Sequence, residues 1–296
     1  MPLVGEFFAL LTTILWSGTS IVFTEASVRV GSLYVNITRL LLAVIYLSVT
    51  IIVFNLSINL SVTQVFNLIL SGFAGLVIGD TFLFKSFQHI GARLSMLVMA
   101  LAPGISAILA FIFLDEVISF VGVVGMVITI SGIAMVVLQR KEKPTSNYKV
   151  DNTGIVYALI GAIGQAVGLI FAKLAFNEGE INGFVAANVR ITSSIIFLYP
   201  LFLFAKRIKN PFTVFKNNNK ALVLTIIGSI IGPFLGITFS LISVSHAKVG
   251  IASTLMATVP IIMLPMVRYY YKEKLSWISV VGAFIAVGGI AILFLR

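Results

Sequence analysis

The sequence predicts an all-α membrane protein in which ten transmembrane helices form two inverted repeats of five helices. Composition, the spacing of apolar stretches and an internal repeat all favour this class. Of the 296 residues, 59% are hydrophobic and only 10% are charged, whereas a soluble domain has about 45–50% apolar and about 25% charged residues. The chain contains no cysteine, which excludes a disulfide framework, a thiolate nucleophile and a cysteine-based metal site.

Ten stretches of mostly apolar residues follow one another along the chain, each close to the roughly 20 residues that a helix needs to cross a bilayer. We expect each to be a helix, because lipid offers no hydrogen-bond partner to exposed backbone groups. Their limits are 3–24, 33–54, 66–87, 93–114, 120–138, 154–174, 183–205, 221–242, 248–270 and 277–295. The first stretch lacks a basic leader and a cleavage site, so we interpret it as a retained helix.

An internal repeat relates the two halves of the chain. Helix four with its exit, MALAPGISAILAFIFLDE, aligns at a constant offset with helix nine, MATVPIIMLPMVRYYYKE. The matched residues include Met99 with Met256, Pro103 with Pro260, and Glu116 with Glu273. Because each repeat has an odd number of spans, the second enters the membrane in the opposite orientation, as in many secondary transporters. We therefore divide the chain into a first repeat at 1–138, a basic linker at 139–152 and a second repeat at 153–296.

The distribution of basic residues predicts the orientation. The chain has 20 Lys and Arg against 10 Asp and Glu, and the predicted loops on one side carry almost all the loop Lys and Arg. The positive-inside rule then places both termini outside and the basic loops in the cytoplasm. This topology accounts for the net charge of +10 without nucleic acid, and leaves the basic loops facing anionic lipid.

Ionisable side chains inside a span are costly and generally face a partner or a wet cavity. Arg39 and Asp80 lie at matching depths, which predicts an ion pair that acts as a structural lock or as a proton-linked gate. Arg190 has the mirrored depth in the second repeat, where Ile237 replaces the acid. Arg190 and Lys173 are therefore expected to form a cationic site for a substrate carboxylate. The alternative is that Arg190 bonds to carbonyls or loop acids while Lys173 extends towards solvent.

Two further patterns mark the span centres. The Ser-Gly-Thr-Ser step at 17–20, beside Trp16, either packs helices closely or lines a polar cavity. Pro103 and Pro260 occupy matching mid-span positions, and each removes a helical hydrogen bond, so we expect kinks that can act as hinges. Glycines on helices three, five and ten predict close packing, either within the protomer or across a dimer.

These residues together resemble the EamA branch of the drug/metabolite transporter superfamily. The resemblance rests on LW followed by small polar residues in helix one, Arg in helices two and seven, MALAP and MATVP before acidic exits, and Gly-rich helices five and ten. It implies a secondary carrier, often an exporter of amino acids or other small metabolites, with ten helices around a central cavity. The family commonly has Trp followed two turns later by Lys. Here Trp16 is followed by Thr24, and Gln165 by Lys173, so we expect the halves to differ in function.

The predicted function is secondary-active transport of small polar metabolites, with amino-acid or metabolite export by alternating access as the first choice. The alternatives are a nucleotide-sugar or phosphorylated-metabolite exchanger and a membrane-embedded enzyme or assembly protein without transport activity. No HExxH, GxSxG or P-loop motif occurs, so we expect neither an enzyme nor a bound metal or cofactor. We further expect transport coupled to protons, a monomer or a homodimer, and a location in a prokaryotic plasma membrane. The candidate substrate-binding residues are Trp16, Thr19, Gln165, Lys173, Asn188 and Arg190.

Overall fold

The computed structural model describes residues 3–138, 152–204, 211–216, 218–270 and 276–294. All regular structure within these ranges is helical. Most of the predicted linker, residues 139–151, and Glu273 lie outside them. The helices are α1 Val4–Val30, α2 Ser32–Val53, α3 Val62–Gly72, α4 Thr81–Met99, α5 Ala102–Leu114, α6 Phe120–Leu138, α7 Asn152–Asn177, α8 Gly183–Phe204, α9 Pro211–Lys216, α10 Asn219–Ser229, α11 Ile237–His246, α12 Val249–Met256, α13 Val259–Tyr270 and α14 Trp277–Phe294.

Several helices in the described ranges are long and apolar enough to cross a bilayer. They are Val4–Val30, Ser32–Val53, Val62–Gly91, Asn152–Asn177 and Asn219–His246. Shorter apolar helices lie in the regions of predicted spans four, five, nine and ten. Spans four and nine are each interrupted, which shortens their regular helices, and the complete set of ten spans stays a prediction.

Two π-helical segments interrupt the long helices at repeat-related positions. The first, Phe73–Asp80, joins α3 to α4, and the second, Ile230–Gly236, joins α10 to α11. Each contains two glycines at matching places, Gly75 and Gly79 in the first and Gly232 and Gly236 in the second. π-helical segments are rare in proteins, and those that do occur often lie at functional sites. Both repeats thus place the same irregular backbone at the same point of the fold.

Matching interruptions precede the two predicted hinge prolines. α4 ends at Met99 and α5 begins at Ala102, while α12 ends at Met256 and α13 begins at Val259. Pro103 lies in the first turn of α5, where its missing N–H removes no helical hydrogen bond. The expected kinks are therefore present as helix breaks, whereas movement at Pro103 and Pro260 stays a prediction.

Hydroxyl groups of α1 bond to backbone carbonyls on both sides of the second break. Thr13 Oγ1 donates to the carbonyl of Leu255 at 3.0 Å, and Ser17 Oγ donates to that of Val259 at 3.2 Å. Each hydroxyl also lies within hydrogen-bond distance of a carbonyl of its own helix, Ala9 for Thr13 at 2.9 Å and Thr13 for Ser17 at 2.7 Å, so these groups connect α1 to the backbone on both sides of the break. Part of the small polar face of α1 is therefore structural.

The helices of the two repeats pack in reciprocal pairs. α1 packs against α10, the second π segment and α11, while its repeat-related counterpart α7 packs against α3, the first π segment and α4. α2 packs against α8, and α6 packs extensively against α14. A pseudo-two-fold relation between the halves produces this exchange of partners.

The glycine faces of helices five and ten meet within one chain. A Cβ at Gly132 would lie 2.5 Å from the Ala286 nitrogen, and a Cβ at Gly289 would lie 2.5 Å from the Thr129 nitrogen. Both contacts are with backbone across the α6–α14 interface, so the absence of a side chain permits the close approach. Of the two predicted roles for these glycines, packing within the protomer and packing across a dimer, the structure shows packing within the protomer.

Candidate functional site

A cavity of about 120 Å³ lies between the two repeats. Much of its lining consists of repeat-related pairs of residues, which places it near the pseudo-two-fold axis. The pairs are Trp16 with Gln165, Ser20 with Leu169, Arg39 with Arg190, Asp80 with Ile237, Leu83 with Ser240, Met96 with Ser253, Met99 with Met256, and Ala100 with Ala257. The predicted centre of the fold is therefore a shared chamber to which both halves contribute.

Arg39 on α2 is held on every side. It forms the predicted ion pair with Asp80, and Asn36 Oδ1 accepts hydrogen bonds from its Nε and Nη2 at 3.0 and 2.9 Å. Its Cζ lies 5.4 Å from the ring centroid of Phe23 and 4.6 Å from that of Phe84. These rings attract the cation and exclude water from it. Arg39 is 5% exposed and Asp80 6%, so the pair is buried.

Gln165 joins the second repeat to this ion pair. Its Nε2 donates to Asp80 Oδ1 at 2.6 Å and to the Gly75 carbonyl at 3.1 Å. Because Arg39 bonds to the other carboxylate oxygen, both oxygens of Asp80 have partners. The Gly75 carbonyl belongs to the first π segment, so Gln165 also provides a hydrogen bond to that irregular backbone.

Arg190 on α8 lines the same cavity but is bonded differently. It is 2% exposed, and its Nε has no hydrogen-bond partner among the described residues. Its Nη2 lies beside Gly75, where an added Cβ would clash with it. Asp80 lines the same cavity. The repeat supplies Arg190 with no acid at the related position, which is Ile237, and Asp80 bonds to Arg39 and Gln165.

Trp16 and Thr19 line the cavity on the side of the second π segment. A Cβ at Gly236 would lie 2.7 Å from Trp16 Nε1, and one at Gly232 would lie 2.9 Å from Thr19 Cγ2. The two glycines therefore let α1 approach closely enough for these side chains to reach the chamber. Both roles considered for the polar step, packing and cavity lining, occur in one helix.

Lys173 does not join Arg190, which corrects the expected two-residue cationic site. Its Nζ donates to the carbonyls of Val244 and Ala247 at 2.9 and 3.2 Å, and lies 4.0 Å from Glu116 Oε1. Glu116 Oε2 in turn accepts a hydrogen bond from the Val249 N–H at 2.8 Å. Lys173 thus bonds to the carbonyls at the C-terminal end of α11, which favour a cation.

Asn188 also lies outside the cavity lining. Its Nδ2 donates to Ser48 Oγ at 3.1 Å across the α2–α8 contact. Helical spacing explains the difference from the first repeat: Asn36 precedes Arg39 by three residues and shares its face, whereas Asn188 precedes Arg190 by two and points elsewhere. Its expected contribution to a substrate site has no support in this geometry.

Three residues of the site were absent from the predicted set. Asn36 could have been found from its spacing to Arg39, because residues three apart on a helix are neighbours. Phe23 and Phe84 carry no comparable signal, since isolated phenylalanines in apolar spans are most simply assigned to packing or lipid. Their role depends on helices being brought together from distant parts of the chain.

The sequence matches the model of the EamA-like transporter family twice, over residues 3–138 and 152–295. The chain belongs to the EamA-like transporter family. This membership, together with the long apolar helices, identifies an integral, multi-pass membrane protein of the transporter class. The two matched segments cover nearly the whole chain, as the resemblance predicted.

A solved crystal structure, whose description names no function, shares the architecture of this EamA-like chain. The two superpose with a TM-score of 0.76, over 98% of this chain and 97% of the other, at 14% sequence identity. At this identity the likeness establishes the fold alone. No curated protein matches the sequence, so the substrate has to be argued from the cavity.

Proposed function

We propose that this protein is a secondary-active carrier that exports small polar metabolites, amino acids among them, by alternating access. The observation that carries the proposal is the chamber between the repeats, which is lined by charged side chains from both halves. Ionisable residues placed in the middle of apolar helices mark solute pathways by default. A purely structural bundle would bury apolar side chains there instead.

The reciprocal packing supports alternating access as the mechanism. Each repeat contributes one π segment, one interrupted helix and one arginine to the chamber. Two halves of similar fold and opposite orientation can exchange conformations, so that the chamber opens first to one side and then to the other. The breaks before Pro103 and Pro260 are the proposed hinges, since fewer helical hydrogen bonds resist bending there.

A phosphorylated-metabolite exchanger is the second candidate, because two arginines line the chamber. The cavity volume of about 120 Å³ disfavours larger phosphorylated solutes, since an engineered apolar cavity of roughly 150 Å³ accommodates ligands such as benzene or xenon. A nucleotide sugar would need a much larger chamber. A small phosphorylated solute is retained as the rival in the experiment below.

The proposed orientation places both termini outside a prokaryotic plasma membrane, with the basic loops in the cytoplasm. The proposed direction of transport is export, which the family resemblance implies. The chain has no cysteine, so single cysteines can be introduced without background. Labelling a cysteine at Asn59 and one at Gln88 in sealed cells tests the orientation. Preferential labelling of Asn59→Cys from outside is expected, and the reverse pattern would contradict the topology.

Transport itself is tested by counterflow in proteoliposomes. The purified protein is reconstituted and labelled amino acids, organic acids and sugar phosphates are offered in turn, with and without a pH gradient. Saturable counterflow, absent from empty liposomes and reduced in Arg190→Ala, is expected. Stimulation by the pH gradient would establish proton coupling. If no solute moves while the protein remains folded, the transport proposal fails and a non-transport role gains ground.

A further inference from the structure

The cavity contains a charged group whose bonding is incomplete. Arg190 is 2% exposed, yet its Nε has no acceptor among the described residues. An unsatisfied buried donor is costly, more so when it belongs to a charged group. Neighbouring hydroxyls do not remove the deficit, because Ser193 and Ser194 donate to the Arg190 backbone carbonyl. Arg190 therefore lacks an acceptor that a bound molecule would supply.

The charge of the chamber is also unbalanced. Of the described side chains that line it, Arg39, Asp80 and Arg190 are charged, which leaves one positive charge in excess. Asp80 supplies one negative charge beside two arginines, and its oxygens accept hydrogen bonds from Arg39 and Gln165. A second carboxylate would neutralise the chamber and could bond to a guanidinium through two parallel hydrogen bonds. The chamber therefore lacks one negative charge.

The remainder of the lining sets the shape and polarity of the bound molecule. Aromatic and methionine side chains surround the charged groups, including Trp16, Met99 and Met256. Such a surface favours an apolar body. A dianion would bring more charge than the chamber lacks, and a zwitterion, which has no net charge, would leave the excess positive charge in place.

We propose that the chamber binds a small monoanion with an apolar tail, whose carboxylate bonds to Arg190. The inference rests on the proposed transport function and narrows its substrate class to monoanionic metabolites, in preference to zwitterionic amino acids. The second repeat has Ile237 at the position of Asp80, and Ile237 lines the same chamber. In the bound state the carboxylate of the ligand therefore does for Arg190 what Asp80 does for Arg39.

The test compares three probes of graded charge by titration calorimetry on the full-length purified protein. The probes are 4-methyl-2-oxopentanoate, a monoanion; leucine, a zwitterion with the same tail; and 2-oxoglutarate, a dianion. The monoanion is expected to bind at least about tenfold tighter than either of the others, the difference that one charge-assisted hydrogen bond makes. Equal or tighter binding of leucine or 2-oxoglutarate would overturn the proposal.

Variants then locate the binding. Arg190→Gln should weaken monoanion binding about tenfold or more, while Arg190→Lys should retain part of it because the charge remains. Ile237→Asp keeps Arg190 but supplies an internal acid, and it should abolish monoanion binding. Gly288→Ala is the matched control, since nothing lies within 4 Å of the added Cβ. Monoanion binding that survives both Arg190→Gln and Ile237→Asp would refute the site.

Counterflow in the same preparations separates this inference from the transport proposal. Counterflow of another solute without monoanion binding would overturn the inference and leave the transport function standing. Arg190-dependent monoanion binding without counterflow of any solute would support the site and overturn the transport function. Thermal unfolding of every variant, measured alongside, ensures that lost binding is read only from folded protein.

Discussion

Two arginines at repeat-related positions meet in one cavity, yet their surroundings differ. Arg39 has a carboxylate, an amide oxygen and two aromatic rings around it. Arg190 is at least as deeply buried, but its Nε has no acceptor in the described part of the chain. The backbone around them is closely matched, down to the two π segments. The repeats therefore share a scaffold but differ in the partners of the buried charge.

This difference shows two ways in which the desolvation cost of a buried arginine can be offset. Where the protein supplies the partners, as at Arg39, the charge becomes part of the folded core. Where it supplies too few, as at Arg190, the desolvation cost is left for a ligand to offset. We therefore expect the first arginine to act mainly on stability and the second mainly on binding.

The largest expected effect separates the two arginines directly. Arg39→Ala removes the partner of a buried carboxylate and should lower the free energy of unfolding by about 3–5 kcal/mol. Arg190→Ala should change it by about 1 kcal/mol or less, because Asp80 keeps its bonds to Arg39 and Gln165, but it should abolish counterflow. Unfolding in detergent and counterflow in liposomes measure the two effects. Equal losses of stability would contradict the division of roles.

Moving the acid between the repeats is the next test. Asp80→Ile should be strongly destabilising, because it leaves two buried cations without a carboxylate. Adding Ile237→Asp places an acid at the related position in the other repeat, beside Arg190. The double variant should recover about 0.5–3 kcal/mol relative to additivity, the range for coupled neighbours. Strict additivity in unfolding measurements would show that the two positions are not equivalent.

Much of the fold was predictable because its signals are periodic and local. Long apolar stretches predicted helices, the offset between Pro103 and Pro260 predicted matching interruptions, and the depths of Arg39 and Asp80 predicted their ion pair. Each signal depends on the position of a residue within its own helix. The π segments were not predicted, although both contain two glycines and the second contains Pro233, because these residues permit irregular backbone without specifying which kind forms.

The site was predicted only in part, since depth in the membrane does not fix the direction of a side chain. Lys173 and Arg190 have similar depths, but Lys173 bonds to carbonyls at the end of α11 while Arg190 lines the chamber. Gln165 was a candidate because it replaces the expected tryptophan. Its bond to Asp80 arises from the packing of α7 on the first π segment, which no pattern within one helix reveals.

A region that the repeats preserve gives the opposite expectation. Gly132 and Gly289 are related by the repeat, and their added Cβ atoms would meet equivalent backbone atoms across the α6–α14 interface. Gly132→Ala and Gly289→Ala should each lower the free energy of unfolding by about 1–3 kcal/mol, because overpacking forces the helices apart. Their costs should agree, unlike those of the two arginines. Gly288→Ala, next to Gly289 and facing open space, is the control and should leave the free energy of unfolding unchanged. Unequal losses of stability in Gly132→Ala and Gly289→Ala would show that the two sides of the interface are not energetically equivalent.

The smallest expected effect concerns Lys173, whose repeat-related position in the first half holds Thr24 instead of a lysine. It connects α7 to the end of α11 and lies near Glu116 of the first repeat. Lys173→Met keeps the length of the side chain and removes its donors. It should cost about 1 kcal/mol or less, the usual worth of a hydrogen bond between membrane helices. Because the ion pair with Glu116 joins the second repeat to the first, its loss should also speed labelling of a single cysteine at Ser253, which lines the chamber. Thr24→Met at the related position is the matched control and should leave the labelling rate unchanged. Equal labelling rates in the two variants would mean that the contacts of Lys173 do not limit access to the chamber.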